Sequence, residues 1–257
     1  MNEQAWTHRD KSSWADGPWQ YEPDKVQWID ADSDLDCLIV RGPSGALCGY
    51  VGVPEGHPLF GIGYGAETER LSEQAAARLE TPVRDNMADM LAALSGRVKS
   101  SPDIVLDVHG GLTFSDECDE PTEAEWLGIE LALADESLQR EARKYPTGDA
   151  ARRVASLTEQ RGLTFAEWRE YQQARRICHI PVGDRPARVW WFGFDCSHYR
   201  DISPAFDATS ARLGLSRFHD DDSKYRDIHY VRRQVTSLAG QLAALSHMDS
   251  PREAVGN

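Results

Sequence analysis

The segment from Cys37 to Val53, CLIVRGPSGALCGYVGV, decides the fold class. Two runs with the composition of β-strands flank the sequence GPSG at residues 42–45, which carries a strong turn signal. We predict a β-hairpin with strands near Cys37–Arg41 and Ala46–Val53. The glycines and prolines of the next segment, VPEGHPLFGIGYG, cannot continue a strand, so we predict a loop there.

Further strands are predicted beyond the hairpin. Ile104–Val108 is an apolar run that indicates a buried strand, and the Gly-Gly turn after it leads into a second short strand. The aromatic run RVWWFGFDC from Arg188 also has the composition of a strand. Together with the hairpin, these segments predict a mostly antiparallel sheet within a single α+β domain of residues 1–257.

Helical character is found in three regions. Apolar residues recur at steps of three and four from Val83 to Val98, which predicts an amphipathic helix. Residues 119–175 are charged and poor in β-branched residues, so we predict a helical insertion. The periodicity from Ile228 to Leu245 predicts a long C-terminal helix that packs against the sheet.

At the N-terminal end, residues 1–30 mix tryptophans with glycine and proline, which predicts an irregular arm held by aromatic anchors.

Composition excludes several classes of partner. The 257 residues carry a formal net charge of −14, which opposes binding modes that neutralise the phosphates of a nucleic-acid duplex. No stretch approaches the roughly 18 consecutive apolar residues of a membrane helix, and MNEQAWTHRDKSSW has no apolar signal core, so we expect a cytoplasmic protein without a membrane partner. Five cysteines without a CxxC pair favour reduced thiols over a disulfide framework.

The first segment whose residues could bind a ligand or take part in a reaction is DVHGGLTF. Asp107 and His109 stand two residues apart at a predicted strand end, so both side chains would face the same way. The amides of Gly110 and Gly111 could cradle a phosphate, with Thr113 close by. The Asp-x-His-Gly order resembles an element of calcineurin-like metallophosphoesterases, although the Asn-His and Gly-His motifs of that family are not found in the sequence. A structural role is the alternative, with a tight glycine turn and a hydrogen-bonded core histidine.

A second segment, GFDCSHYRD, gathers six candidate residues at the end of another predicted strand, where loops commonly present binding groups. They are Asp195, Cys196, His198, Tyr199, Arg200 and Asp201. Zinc accepts acid, cysteine and histidine ligands, and the first segment could supply a distant one. Two alternatives remain: a structural role for the segment, or a catalytic cysteine beside His198.

One more combination of cysteine and histidine follows from ICHIP at Ile177. Cys118, Cys178, His179 and Cys196 could form a zinc site across three segments. Ordinary buried thiols are the alternative interpretation.

Five stretches together resemble a group of uncharacterised proteins of actinobacteria and their phages. They are GPWQYEPDKVQWID, DCLIVRGPSGALCGYVGVPEGHPLFG, DVHGGLTF, RRICHIPVGDRPARVWWFGFDCSHYRDISP and YRDIHYVRRQVTSLAGQL, about half of the chain. The usual second motif of the group resembles FDCAHAGD, whereas Tyr199 and Arg200 replace small residues here. The group has no established activity. The resemblance implies a phage setting, in which small accessory proteins counter host defences by sequestering or destroying a nucleotide signal.

These observations predict a small-molecule binding protein for a nucleotide or another phosphate-bearing ligand, which would act as a phage-encoded sponge without a cofactor. The glycine amides would hold phosphates, Arg41 or Arg200 would supply charge, and a tryptophan or Tyr199 would stack on the base. A metal-dependent hydrolase is the first alternative. Zinc or manganese would then be held by Asp107, His109, Asp195 and His198. A protein-binding inhibitor with an acidic surface is the second alternative.

The C-terminal helix also predicts assembly. Its apolar stripe is roughly 26 Å long at about 1.5 Å per residue, whereas strands of about six residues span about 20 Å. We therefore expect Leu238 to Leu245 to remain exposed unless a second chain covers them, which predicts a homo-oligomer. The polar residues Gln234, Ser237 and Gln241 interleave with the stripe and are expected to face solvent or the rim of the interface.

Overall fold

The computed structural model describes residues 3–80, 99–118, 120–215 and 219–246. Within these ranges the chain divides into two compact units. The second unit is Asp119–Cys178, and the first comprises the chain on either side of it. The single-domain organisation expected from the sequence stays a prediction. Across the described residues, no helix is both long and apolar enough to cross a membrane.

A six-stranded sheet forms the centre of the first unit. Its strands are β1 (Gln4–Trp6), β2 (Lys25–Ile29), β3 (Asp36–Arg41), β4 (Leu47–Pro54), β5 (Phe114–Glu117) and β6 (Val189–Asp195). They lie in the order β1-β2-β3-β4-β6-β5, and each neighbouring pair is antiparallel. The α+β class is therefore confirmed. The hairpin is confirmed as well, because β3 pairs with β4 across the predicted turn.

The described helices fall into two groups. The first unit contains α1 (Ser72–Glu80), α2 (Pro102–Val105), α7 (Pro204–Arg212) and α8 (Ile228–Ser246), and the second contains α3 (Glu123–Ala134), α4 (Glu136–Lys144), α5 (Asp149–Gln160) and α6 (Phe165–Gln173). In the second unit, Thr122 and Thr164 each begin a helix with a capping box, which satisfies two amides at once. The amphipathic helix predicted from Val83 to Val98 lies outside the described residues.

The strand predicted at Ile104–Val108 is wrong. Pro102 instead begins α2, and Leu106 follows that helix in an extended conformation. Proline suits the first turn of a helix because the amide it lacks would have no partner there. An apolar run of this length fits a strand and a buried helical turn equally well, so its composition could not separate the two. The short strand predicted after the glycine turn is present as β5, at the sheet edge.

Helix α8 packs on β3 and β4. A Cβ atom at Gly49 would lie 2.5 Å from Val235 Cγ2, so glycine is required for this close approach. The distal stripe, which was expected to be exposed, is buried within the chain: Leu238 and Leu242 have 0% exposure. Their core cluster includes Leu59, Leu71 and Leu106, which lie outside the sheet and extend the apolar surface beyond the strands. The argument for a homo-oligomer from an uncovered stripe is thereby removed.

The N-terminal residues are more regular than the predicted arm, because β1 and β2 join the sheet. The segment between these strands is held by buried ion pairs as well as by aromatic contacts. Asp24 is 2.9 Å from Arg41 Nε and 2.8 Å from Lys11 Nζ. Trp19 packs edge-on against Tyr225, with ring centroids 4.9 Å apart.

Candidate functional site

The two segments singled out in the sequence meet in the first unit. His109 Nε2 lies 2.7 Å from Asp201 Oδ2. The ring of His198 lies 5.6 Å from that of His109, centroid to centroid. The first segment follows α2 and the second follows β6, so the chain brings together residues about 90 positions apart.

Helix α8 holds the first segment in place through two glutamines. Gln241 bonds to both backbone groups of Asp107: its Oε1 accepts from the amide at 2.7 Å and its Nε2 donates to the carbonyl at 2.8 Å. Gln234 Oε1 accepts from the His109 amide at 3.0 Å. Gln234, Ser237 and Gln241 were expected to face solvent or the rim of an interface; Ser237 is exposed, and the two glutamines are partly exposed but also bind this segment. Their seven-residue spacing, two helical turns, places both on one side of α8.

Asp201 is the centre of the site. Its buried carboxylate accepts hydrogen bonds from His109, from Arg226 Nε at 2.8 Å and from the His198 amide at 3.1 Å. Burial by itself would raise the pKa of Asp201, but the hydrogen bonds from His109 and Arg226 outweigh it and hold the pKa below its ordinary value. The carboxylate is thus ionised and fixes the orientation of the groups around it.

His109 uses both ring nitrogens within the protein. Nε2 faces Asp201, and Nδ1 lies 3.0 Å from the hydroxyl of Tyr230 on α8. With an ionised Asp201, Nε2–H donates to the carboxylate, and Nδ1 shares its hydrogen bond with the Tyr230 hydroxyl. Sequence reasoning missed Arg226 and Tyr230, since neither lies near the two segments along the chain.

This arrangement does not form the metal site of the alternative hypothesis. His109 could bind a metal only by giving up one of its two hydrogen bonds. His198 Nε2 and Asp195 Oδ1 are 3.8 Å apart, and Asp107 is exposed. Within the described ranges, no three histidine, cysteine or acidic residues are grouped so that they could hold a metal ion.

One amide of the predicted phosphate cradle is used within the protein. The Gly111 amide donates to the Val108 carbonyl at 3.1 Å, and the Thr113 amide donates to the Gly193 carbonyl at 2.9 Å. Gly110 packs against His198, because a Cβ at this position would lie 2.0 Å from the Nε2 of that ring. The structural alternative, a tight glycine turn beside a hydrogen-bonded histidine, describes this segment.

Neither predicted arginine is available near the glycine turn. Arg41 is buried and binds Asp24, the Gly45 carbonyl and the Tyr225 hydroxyl. Its donors join the hairpin to the N-terminal segment, and its assignment to the ligand site stays a prediction. Arg200 pairs with Asp220 at 3.1 Å and with Asp222 at 3.5 Å.

A cavity of about 710 Å³ opens beside the second segment. Four serines line it, namely Ser44, Ser197, Ser203 and Ser210, together with His198, Tyr199, Arg200, Asp201, Phe206, Asp207, Leu215 and His219. Tyr199, Phe206 and Leu215 are exposed. The cavity thus combines hydroxyl groups with an apolar, partly aromatic border. Five of these twelve residues belong to the second segment, and five others lie on α7 or beside it, where the sequence analysis found no functional signal.

The polar groups of the cavity are partly engaged with one another. His219 Nε2 lies 2.9 and 2.8 Å from the two oxygens of the buried Asp207 carboxylate. The hydroxyls of Ser197 and Ser203 are 2.9 Å apart. At the start of α7, the amides of Ala205 and Phe206 both donate to the Ser44 carbonyl. That helix end therefore does not offer these two amides to an anion.

The chain matches no protein-family model, and comparison with curated proteins and with solved structures found no significant match.

Proposed function

We propose that this chain binds a small polar ligand with a flat ring, of the nucleoside or nucleotide class, in the cavity beside α7. The observation that carries the proposal is the cavity itself, whose volume of about 710 Å³ falls in the range of small-molecule sites. Such sites combine apolar walls with a few polar groups that fix orientation, and this cavity has both.

The border of the cavity suits a planar group. Tyr199 and Phe206 are 82% and 65% exposed. Exposed aromatic side chains at a cavity mouth provide faces on which any of the nucleobases can stack. The serine hydroxyls can both donate and accept hydrogen bonds, which suits the hydroxyls of a ribose.

The charges favour a ligand with few phosphates. Arg200 is the only permanently cationic residue among the described residues that line the cavity, and Asp220 and Asp222 already pair with it. Asp201 and Asp207 add negative charge. We therefore expect nucleosides and monophosphates to bind more tightly than triphosphates. Sequestration of a host signal, the role implied by the resemblance, would need binding at this cavity and no turnover.

Calorimetric titration with nucleosides, mono- and triphosphates, cyclic nucleotides and ADP-ribose tests the proposal. Phe206→Ala should weaken the affinity about fivefold or more, because a stacked base contributes about 1–3 kcal/mol. Leu213→Ala is the matched control, since Leu213 is also exposed at the end of α7 but does not line the cavity. Absence of binding across the panel, or an equal loss in both variants, would overturn the proposal.

A further inference from the structure

Cys118 and His179 form a close pair in the first unit, away from the proposed cavity. They are 61 residues apart in sequence, and Cys118 Sγ lies 3.6 Å from His179 Nδ1. The cysteine is partly exposed and follows β5 directly, whereas the histidine is only 2% exposed. The pair therefore combines a partly exposed cysteine with a buried imidazole.

The hydrogen bonds around this pair fix the direction of each group. His179 Nε2 is 3.1 Å from the Pro186 carbonyl, which can only accept, so Nε2 carries a proton. Nδ1 is left to face the sulfur, either as acceptor from the thiol or as donor to the thiolate. Trp191 Nε1, which can only donate, lies 3.5 Å from the same sulfur. The arrangement is the one used by enzymes that activate cysteine: Cys118 is the nucleophile, His179 is the base, and the Pro186 carbonyl orients the base.

The charges around His179 support its protonated form. Burial by itself would lower the pKa of His179, but the contact with Cys118 and the negative charge of Asp36 outweigh it and raise the pKa above its ordinary value. An imidazolium next to a sulfur that also accepts from an indole stabilises a thiolate.

We propose that Cys118 and His179 form a thiolate–imidazolium pair and that Cys118 is a modification site for small hydroperoxides. In the reaction the thiolate attacks one peroxide oxygen, an S–O bond forms and the O–O bond breaks. The sulfur loses two electrons to the peroxide, and the leaving hydroxide takes the proton of His179 to become water. The products are a sulfenic acid at Cys118 and a neutral imidazole.

The chain supplies its own matched control in Cys48. This cysteine is also partly exposed, but burial of its sulfur and the negative charge of Asp195 raise the pKa of Cys48 to about 11. Iodoacetamide labelling at pH 7, followed by peptide mass spectrometry, should modify Cys118 at least about tenfold faster than Cys48. Dilute hydrogen peroxide should form a dimedone-reactive sulfenic acid with the same preference.

Two variants test the role of the partners. His179→Gln should slow labelling of Cys118 at pH 7 about tenfold and move the inflection of its pH–rate profile up towards about 8.5, the value of an ordinary thiol. Cys37 and Cys196 are buried and report on folding, since they stay unlabelled while the chain is folded. If Cys37 or Cys196 becomes labelled in the His179→Gln variant, that variant is unfolded and Trp191→Phe is tested in its place. Trp191→Phe should also slow the labelling of Cys118. Equal rates for Cys118 and Cys48, or an unchanged Cys118 profile in a folded variant, would overturn the proposal.

Discussion

Single residues decide how closely the two functional segments approach each other. Gly110 has a φ of 70° and lies against the ring of His198, whereas Gly111 has a φ of 87° and open space on the side where a Cβ would stand. Both positions favour glycine by conformation, but only the first also requires it by contact. A comparison of alanine substitutions at the two positions therefore separates the cost of backbone strain from the cost of steric overlap.

We expect Gly110→Ala to lower the free energy of unfolding by about 2 kcal/mol more than Gly111→Ala. Gly111→Ala costs about 1 kcal/mol, because alanine is strained in the left-handed backbone conformation. Gly110→Ala adds to this strain a steric overlap that must displace the His198 ring. Urea denaturation of both variants measures the difference. Equal losses would mean that the His198 ring moves aside at no cost, and that the packing of the two segments is looser than the structure indicates.

Among the elements, α8 has two separate functions. Its apolar side covers the sheet, while Gln234 and Gln241 bind the backbone of the segment that carries His109. A loop of this kind has little regular structure of its own, so its backbone groups need partners elsewhere. The helix supplies them and thereby sets the position of the histidine relative to Asp201.

Gln241→Ala should loosen this segment without unfolding the molecule. Two hydrogen bonds to Asp107 are lost, each contributing about 1 kcal/mol, so the amide hydrogen of Asp107 should exchange roughly 30 times faster. Thr236→Ala is the control, because Thr236 is exposed on the same helix. Unchanged exchange at Asp107 in the Gln241 variant would show that other contacts hold the segment.

At the scale of the whole molecule, one core cluster joins the sheet, α8 and the segments around Leu59, Leu71 and Leu106. Residues far apart in sequence thus contribute to a single apolar interior. Cooperative unfolding of this unit is expected, since the loss of any one layer exposes the others.

Leu242→Ala should lower the free energy of unfolding by about 2–5 kcal/mol, because it leaves a cavity in this interior. The loss should be the same at protein concentrations tenfold apart, since Leu242 is covered by its own chain. Leu213→Ala, at an exposed position, should cost little. A denaturation midpoint that rises with protein concentration would instead indicate that a second chain stabilises this surface.

The elements that the sequence predicts well are those with a local signature. The hairpin of β3 and β4, the aromatic strand β6 and the helix from Ile228 follow from turn residues, composition and periodicity among near neighbours. These patterns arise because a strand or helix repeats over two or about four residues, so a short window contains the signal. Ile104–Val108 lacked such a signal, and its prediction as a strand was wrong.

The partners of the candidate residues were decided by tertiary structure alone. His109 meets Asp201 and Tyr230, Arg41 is committed to Asp24, and Cys118 meets His179. Each of these pairs joins positions between 17 and 121 residues apart, and no spacing in the sequence encodes them. The order of strands in the sheet and the packing of α8 bring the residues together. The sequence by itself determined which side chains could act, and the packing of distant segments decided which of them meet.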